Sequence, residues 1–345
     1  MLNEKVYGVI GIKSIMSNWN ADFDGYPKRT SSGNIFGSDK ALKYAMRRMW
    51  NEQDKKVLYF KSMKISEKKG KKKDETDVKI SLIPRTLEER YLSLFSKDEN
   101  ATKIQDDAKG ILKNIFSAVD VKNFGATFPV KGCNLAITGA VQIGQGFNKY
   151  EYAVPMIQNI LSPFRDGKEK TNANGETTEA ESSSLGTQII TEEAHYFYPF
   201  VINPNAYKDW ETLEVTDGYT EDDYKNFKEA ALKAVTMQNT CTKTGCSNEF
   251  ALFVETDPNC AVGDLAELIT FRKDNGKNII DLSKCFEKLK KLKDQIKNVE
   301  VYYDLETTEL KYDTEITELF GNNQGKFNSF DITNPNEKAT VLTVG

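Results

Sequence analysis

The chain has 345 residues, of which 39% are hydrophobic and 28% charged, and its formal net charge is −4. This apolar content suffices for one elaborated globular domain or two smaller ones. No run of about eighteen apolar residues could span a bilayer, and the acidic residue and short apolar stretch at the start argue against a signal peptide. We therefore expect a soluble, cytoplasmic protein with no membrane partner.

The available catalytic chemistry is narrow, because His195 is the only histidine. A Ser-His-Asp or Cys-His relay would have to use it, and a multi-histidine metal site is excluded. His195 lies in the aromatic segment "EEAHYFYPFVINP", which predicts a strand with a structural, partly buried histidine. The cysteines are odd in number and form no C-x-x-C pair, so neither a disulfide framework nor a zinc site is predicted. They are Cys133, Cys241, Cys246, Cys260 and Cys285.

The first elements predicted along the chain are a strand and a basic helix. The β-branched segment from Lys5 to Ser17 predicts the strand, and a polar loop follows it. The stretch "GSDKALKYAMRRMW" predicts a helix that Ser38 or Asp39 caps, because its apolar residues share one face. That face comprises Leu42, Ala45, Met46, Met49 and Trp50. The cations of the helix are Lys40, Lys43, Arg47 and Arg48, of which the first three form a narrow stripe away from the apolar face.

Positive charge is concentrated around this helix. From Lys40 to Lys73 the chain has 13 Lys or Arg residues against three acids, a local charge near +10, so the remainder is near −14. A polyanion responds to the local field within about a Debye length, so this asymmetry indicates nucleic acid despite the negative total. The tract from Ser66 to Asp77 has no apolar residue and predicts a flexible loop. Fixed cations one helical turn apart suit a phosphate backbone better than such a loop does.

The remaining segments alternate between strands and helices. We predict strands at 55–65, 135–147, 249–256 and 299–305, and helices at 89–96, 108–119, 220–238 and 281–298. Residues 150–199 predict an extended arm with a polar middle from Arg165 to Ser184. The helix from Thr220 carries a capping signal with Asp223. The predicted class is α+β around an antiparallel sheet.

Several segments occur in an order that is similar to a known family. They are "NADFDGYPKR", "SDKALKYAMRRMW", "DVKNFGATF", "TGAVQIGQGFN", "GTQIITEEAHYFYPFVINPNAY", "GYTEDDYKNFKEAAL" and "TKTGCSNEFALFVE". This collinear set resembles the Cas seven family of CRISPR-associated backbone subunits, in the repeat-associated RNA-binding superfamily, and most closely its type I-B form. The resemblance implies a ferredoxin-like, RNA-recognition-type palm with a fingers insertion and a thumb β-hairpin. The implied boundaries are palm at 1–56, fingers at 57–130, a palm strand at 131–144, thumb at 145–200 and palm at 201–345.

The resemblance also implies a function and a set of partners. Copies of the chain would stack along a CRISPR guide RNA (crRNA) within a Cascade surveillance complex, contacting other Cascade subunits and, through guide pairing, a target DNA strand. The implied RNA contacts are Lys40, Lys43, Arg47 and Arg48 on the first helix, and Gln142 and Gln145 on the glycine-rich strand. A guide of any sequence must be held by its phosphates, sugars and base faces. No cofactor, metal or catalytic step is expected.

Two alternatives from other classes stay open at this point. Related type III subunits cut RNA with a loop aspartate after the first strand, and Asp22 and Asp24 occupy that region here. Two carboxylates could hold a Mg²⁺ for phosphoryl transfer, although "DFDG" is also an ordinary turn sequence. The other alternative is a protein-interaction scaffold whose basic tract only solvates the surface.

Overall fold

The computed structural model describes residues 1–69, 78–98, 101–130, 133–165, 170–171, 177–178, 183–313 and 327–336. Its helices are α1 (Asp39–Glu52), α2 (Leu87–Phe95), α3 (Ala108–Phe116), α4 (Val119–Phe124), α5 (Lys208–Thr212), α6 (Glu221–Lys233) and α7 (Ser283–Lys290). Its strands are β1 (Lys5–Ser17), β2 (Phe36–Gly37), β3 (Met63–Lys69), β4 (Val78–Pro84), β5 (Gly125–Val130), β6 (Cys133–Thr138), β7 (Val141–Ile143), β8 (Gly146–Asn148), β9 (Pro155–Arg165), β10 (Lys170–Thr171), β11 (Thr177–Thr178), β12 (Ser183–Ile202), β13 (Cys246–Thr256), β14 (Thr270–Asp274), β15 (Lys277–Asp281), β16 (Ile296–Tyr303), β17 (Thr308–Lys311) and β18 (Phe327–Asp331).

A large central sheet organises the described part of the chain. Its strand order is β18-β16-β13-β1-β12-β8-β2, and β7 and β9 also pair with β12. The pairs within it are antiparallel except β16 with β18, which run parallel. The predicted α+β class is confirmed, and the parallel β18 departs from the predicted antiparallel sheet.

Both faces of the central sheet are covered. Val6 and Ile10 of β1 belong to a core that includes residues of α1, α3, α4 and α6, whereas Tyr7 and Val9 belong to a second core with α7, β14 and β15. Alternate residues of a strand point to opposite faces, so a strand that is buried on both sides reads as a continuous β-branched run. This explains why β1 was predictable with its observed bounds.

Helix α1 has the predicted buried face and α6 has the predicted cap, although α6 ends at Lys233 and not at the predicted residue 238. In α1 the buried residues are the five predicted ones. In α6 Thr220 and Asp223 form the reciprocal capping box, with side-chain to backbone distances of 3.2 and 2.9 Å. Such a box satisfies amide groups that the first turn leaves free.

Three predicted elements are wrong in extent. The predicted strand at 55–65 starts only at Met63, because the amides of Leu58 and Tyr59 donate to the Asp120 carboxylate instead of a neighbouring strand. The predicted strand at 135–147 is divided among β6, β7 and β8, and a Cβ at Gly139 would overlap the backbone of residues 123–125. The predicted helix at 281–298 ends at Lys290, and the chain enters β16 at Ile296.

Two hairpins carry apolar side chains that the cores do not cover. In the β3–β4 hairpin Ile65 lies opposite Leu82, and both side chains are largely exposed, as is Ile80. In the β9–β12 hairpin Ile157 and Leu161 are exposed in the same way. Of the predicted basic loop, residues 66–69 belong to β3 and residues 70–77 lie outside the described residues. Much of the polar middle of the arm, at 165–184, also lies outside them.

Candidate nucleic-acid interface

The start of α1 is fixed by hydrogen bonds from several segments. The Ser38 hydroxyl accepts from the Ala41 amide at 3.3 Å, and the Ser38 amide donates to Asn20 Oδ1 at 2.8 Å. Asp39 accepts from Lys43 Nζ at 3.0 Å and from Gln145 Nε2 at 3.3 Å. Burial alone would raise the pKa of Asp39, but these contacts outweigh it and hold the pKa below its usual value. A carboxylate in the first turn also suits the helix dipole.

The predicted cation stripe has one freely available member. Lys40 is exposed, and no ion pair to it occurs among the described residues. Lys43 keeps only 15% of its side-chain exposure and is paired with Asp39. The Lys43 ammonium also lies over the Phe124 ring, 5.3 Å from its centroid, so a phosphate would have to replace the aspartate as its partner. Arg48 is similarly paired within the helix, with Glu52 at 2.8 Å.

Arg47, the third cation of the predicted stripe, is engaged by other parts of the protein. Its Nε donates at 3.2 Å to Asp120, whose side chain is 0% exposed. Its guanidinium lies over the rings of Phe124 and Tyr59, at 5.3 and 5.7 Å from their centroids. The helix places Arg47 on the predicted stripe, but α4 packs against that part of the stripe. The role of Arg47 in binding RNA stays a prediction.

Both predicted glutamines are exposed near the sheet edge. Gln142 lies in β7 opposite Val201, and its side chain donates to the Gly139 carbonyl at 2.8 Å. Gln145 precedes β8 and reaches Asp39 as described. The structure therefore brings Gln145 to Asp39 in the first turn of α1, next to Lys40. Gln142 stays on the adjoining strand β7.

The two candidate catalytic aspartates lie in an exposed turn. The Asp22 amide donates to the Tyr26 carbonyl at 2.7 Å and the Gly25 amide to the Asp22 carbonyl at 3.0 Å, while Gly25 has φ +82°. This geometry is that of a tight hairpin turn, and Phe23 is fully exposed at its tip. Within the described ranges, no three His, Cys, Asp or Glu side chains are arranged to hold a metal ion.

Comparison with known proteins decides the family. Residues 4–301 match the family model of CRISPR-associated protein Cas7. The chain belongs to the Cas7 family.

Two solved structures that resemble this Cas7-family chain are distant from it in sequence. One is a chain of a "CRISPR RNA-guided surveillance complex, pre-nicking", with 12% identity and a TM-score of 0.48 over 92% of this chain and 99% of that one. Another, from a "CRISPR RNA-guided surveillance complex", has 12% identity and a TM-score of 0.43 over 86% and 88%. No curated protein matches the chain.

His195 of this Cas7-family chain is a buried strand residue, as predicted, and it lies in a charged network. Its Nδ1 is 2.8 Å from both oxygens of buried Glu249, and its Nε2 is 3.0 Å from Glu193, which Lys273 contacts at 2.7 Å. Burial would lower the pKa of His195, but the two carboxylates outweigh it and raise the pKa above its usual value. The network joins β12 to β13 and β14.

The buried partner of His195 occupies a β-bulge. Gly11 of β1 lies opposite Phe250 and Ile12 opposite Asn248, so Glu249 has no partner in β1. A bulge redirects side chains, and here it accompanies a carboxylate on the His195 side of β13. Glu249 was not predicted from the sequence, because bulges leave no clear sequence pattern.

Sequence analysis also missed an aromatic pair beside the predicted contacts. Phe36 of β2 lies opposite Phe147 of β8, with ring centroids 6.0 Å apart, and Phe147 is 42% exposed. Glycine precedes Phe147 and follows Phe36, an alternation that could have indicated two aromatic residues on one face.

No helix among the described residues is long and apolar enough to cross a membrane.

Proposed function

We propose that this chain is a crRNA-binding backbone subunit of a type I-B CRISPR Cascade surveillance complex. The observation that carries the proposal is the match of residues 4–301 to the Cas7 family. The I-B form is proposed from the collinear sequence landmarks. In this role the chain supports target DNA recognition by holding a guide RNA whose bases pair with the target strand.

The contacts expected for this role are independent of guide sequence. Lys40 is available to a phosphate. Lys43 becomes available when a phosphate replaces Asp39 as its partner. Gln145 is hydrogen-bonded to the same aspartate and would position the RNA beside them. Each phosphate that a subunit neutralises on a single strand adds about 0.7 to the slope of log affinity against log salt. Many weak subunit contacts would then sum along one guide.

The two hairpins with exposed apolar side chains could contact neighbouring subunits in an assembly. We propose that the palm, fingers and thumb have the boundaries given above, with the β3–β4 hairpin in the fingers and the β9–β12 hairpin in the thumb. Exposed apolar surface rimmed by polar residues marks interaction sites. Ile65 and Leu82 on one hairpin and Ile157 and Leu161 on the other are suited to contacts between copies or with other Cascade subunits.

The double substitution Lys40→Glu with Lys43→Glu is expected to remove bound RNA without unfolding the protein. Two favourable phosphate contacts become repulsive, whereas Asp39, the partner of Lys43, keeps 22% of its side-chain exposure and is not fully buried as Asp120 is. The 260/280 nm absorbance ratio of protein purified at low salt, with the melting temperature, measures both effects. The single variant Lys40→Gln should reduce the salt slope of RNA affinity by about 0.7.

Lys291→Glu provides the matched control, because Lys291 is exposed beyond the end of α7, which packs on the second core. It should retain RNA. Full RNA content in the double variant, or equal loss in Lys291→Glu, would contradict the proposed contact surface.

We further propose that the chain performs no cleavage. The Asp22 carboxylate accepts from the Phe23 amide at 2.9 Å within the turn, and among the described residues no third metal-binding side chain joins Asp22 and Asp24. Incubation of the RNA-loaded protein with Mg²⁺ and guide-complementary RNA should leave that RNA intact. Cleavage that disappears in Asp22→Ala or Asp24→Ala would instead support an endoribonuclease.

A further inference from the structure

Two glycines at the edge of the central sheet allow β2 and β8 to lie against a buried aromatic residue. Gly37 pairs with Gly146, and a Cβ at either position would overlap the side chain of Tyr198. The Tyr198 hydroxyl accepts a hydrogen bond from Trp19 Nε1 at 2.6 Å, and both rings are buried. The buried Tyr198 side chain therefore covers the face of this edge on which Gly37 and Gly146 lie.

The opposite face of the same edge is open. Because side chains alternate along a strand, Phe36 and Phe147 point away from Tyr198. Phe147 lies opposite Phe197, which is buried in the second core cluster. Phe36 and Phe147 continue this face beyond Phe197, but neither belongs to that cluster, and Phe147 is 42% exposed. The sheet face thus ends in an aromatic pair outside the covering layer.

Cations lie near the aromatic pair along the chain and on the segment paired with β2. The Phe36 amide donates to the Lys28 carbonyl at 2.9 Å, and the bridge between Arg29 and Ile35 sets Lys28 directly opposite Phe36. Lys149 follows β8 by one residue, and Lys40 lies in the first turn after β2. No ion pair to Lys28, Arg29, Lys40 or Lys149 occurs among the described residues. Two acids lie near these cations: Asp39 is engaged by Lys43 and Gln145, and Glu151 lines one pocket with Arg29 and Lys149 but forms no ion pair with either among the described residues.

We propose that Phe36 and Phe147 form a platform on which one base of single-stranded RNA stacks. This inference rests on the proposed RNA-binding function and adds a base-face contact to its phosphate contacts. Base faces of any identity stack on aromatic rings, so the platform preserves independence from guide sequence. Gln145, two residues before Phe147, contacts Asp39 of α1, which is paired with Lys43 and precedes Lys40 in the sequence.

Charge and size favour RNA over a protein partner. The unpaired cations beside the rings complement phosphates on either side of a stacked base. A stable protein contact needs about 800 Å² from each partner, which is several times the area that two partly buried phenylalanines offer. The alternation of exposed ring and nearby cation is the combination used by proteins that bind single strands.

The test compares Phe147→Leu, which keeps apolar bulk but removes the ring, with Phe147→Trp, which enlarges the ring. Affinity is measured for a short single-stranded RNA and for the same strand with abasic sites, which retains the phosphates. Phe147→Leu should weaken binding of the intact strand about tenfold, since stacking contributes about 1–3 kcal/mol per base. It should leave the abasic strand unchanged, while Phe147→Trp should bind the intact strand at least as tightly as the wild type. A 2-aminopurine base in the strand should lose fluorescence on binding wild type and not Phe147→Leu.

Each contrary result has a separate meaning. If Phe147→Leu binds both strands like wild type, the platform is wrong and phosphate binding stands. A variant with altered self-association but unchanged RNA affinity would instead assign the rings to a contact between copies. Wild-type protein that binds neither strand would overturn the proposed function together with the platform.

Discussion

Replacing Asp120 with alanine is expected to lower the free energy of unfolding by about 3–5 kcal/mol, because the substitution breaks a buried ion pair on one side. The Asp120 carboxylate accepts from the amides of Leu58 and Tyr59 at 2.8 and 2.9 Å and from Arg47 at 3.2 Å. Alanine would leave the buried Leu58 amide unsatisfied and remove the counter-charge of Arg47. Urea unfolding followed by circular dichroism measures the change.

Two further variants separate this structural effect from RNA binding. Arg47→Glu would place a second carboxylate beside Asp120 and should also destabilise the fold, unlike Lys40→Glu. Asp222→Ala is the matched control, since Asp222 is an exposed aspartate paired only with the exposed Lys225. Because Asp222 lies in the first turn of α6 and favours the helix dipole, this control should cost at most about 1 kcal/mol, well below the loss expected for Asp120→Ala. An Asp120→Ala protein as stable as wild type would show that the network does not hold residues 57–60 against α4.

The second large effect is expected at His195, where replacement by alanine should also cost about 3–5 kcal/mol by leaving buried Glu249 without its counter-charge. The double variant His195→Ala with Glu249→Ala should lose less than the sum of the two single losses, because the partners interact directly. Lys273→Ala should cost far less than His195→Ala, since Lys273 lies at the exposed end of the network.

The same network predicts a pH dependence of stability. The folded-state pKa of His195 is raised above its usual value of about 6.5, so the folded protein holds the proton more tightly than the unfolded chain. Its contribution is fully present below about pH 6.5 and is lost as pH rises through the folded pKa. The difference in unfolding free energy between wild type and His195→Gln should therefore shrink above neutral pH. A difference that stays constant from pH 6 to pH 9 would contradict this.

Several elements follow from local sequence because a regular pattern of burial produced them. The β-branched run of β1, the apolar face of α1 and the capping box of α6 are set by residues within a few positions of each other. The arm at 150–199 was predictable as extended, and β9 and β12 do pair within it. Such features need no knowledge of distant segments.

Other predictions were wrong because distant residues decided the outcome. Leu58 and Tyr59 have strand-forming neighbours, yet their amides go to Asp120, about sixty positions away. The segment 135–147 is rich in apolar residues, but close backbone contacts at Gly139 turn the chain between two sheets. A local pattern contains no information about these partners.

The candidate site shows the same division between local pattern and tertiary contacts. The sequence by itself determined that α1 forms, which face it buries and that four cations lie on it. Only the tertiary structure decided that Arg47 neutralises a buried aspartate while Lys40 stays available, because an ion pair depends on which charge the fold brings within about 4 Å. It likewise decided that Phe36 and Phe147 meet on an open face, since strand pairing joins segments more than a hundred residues apart.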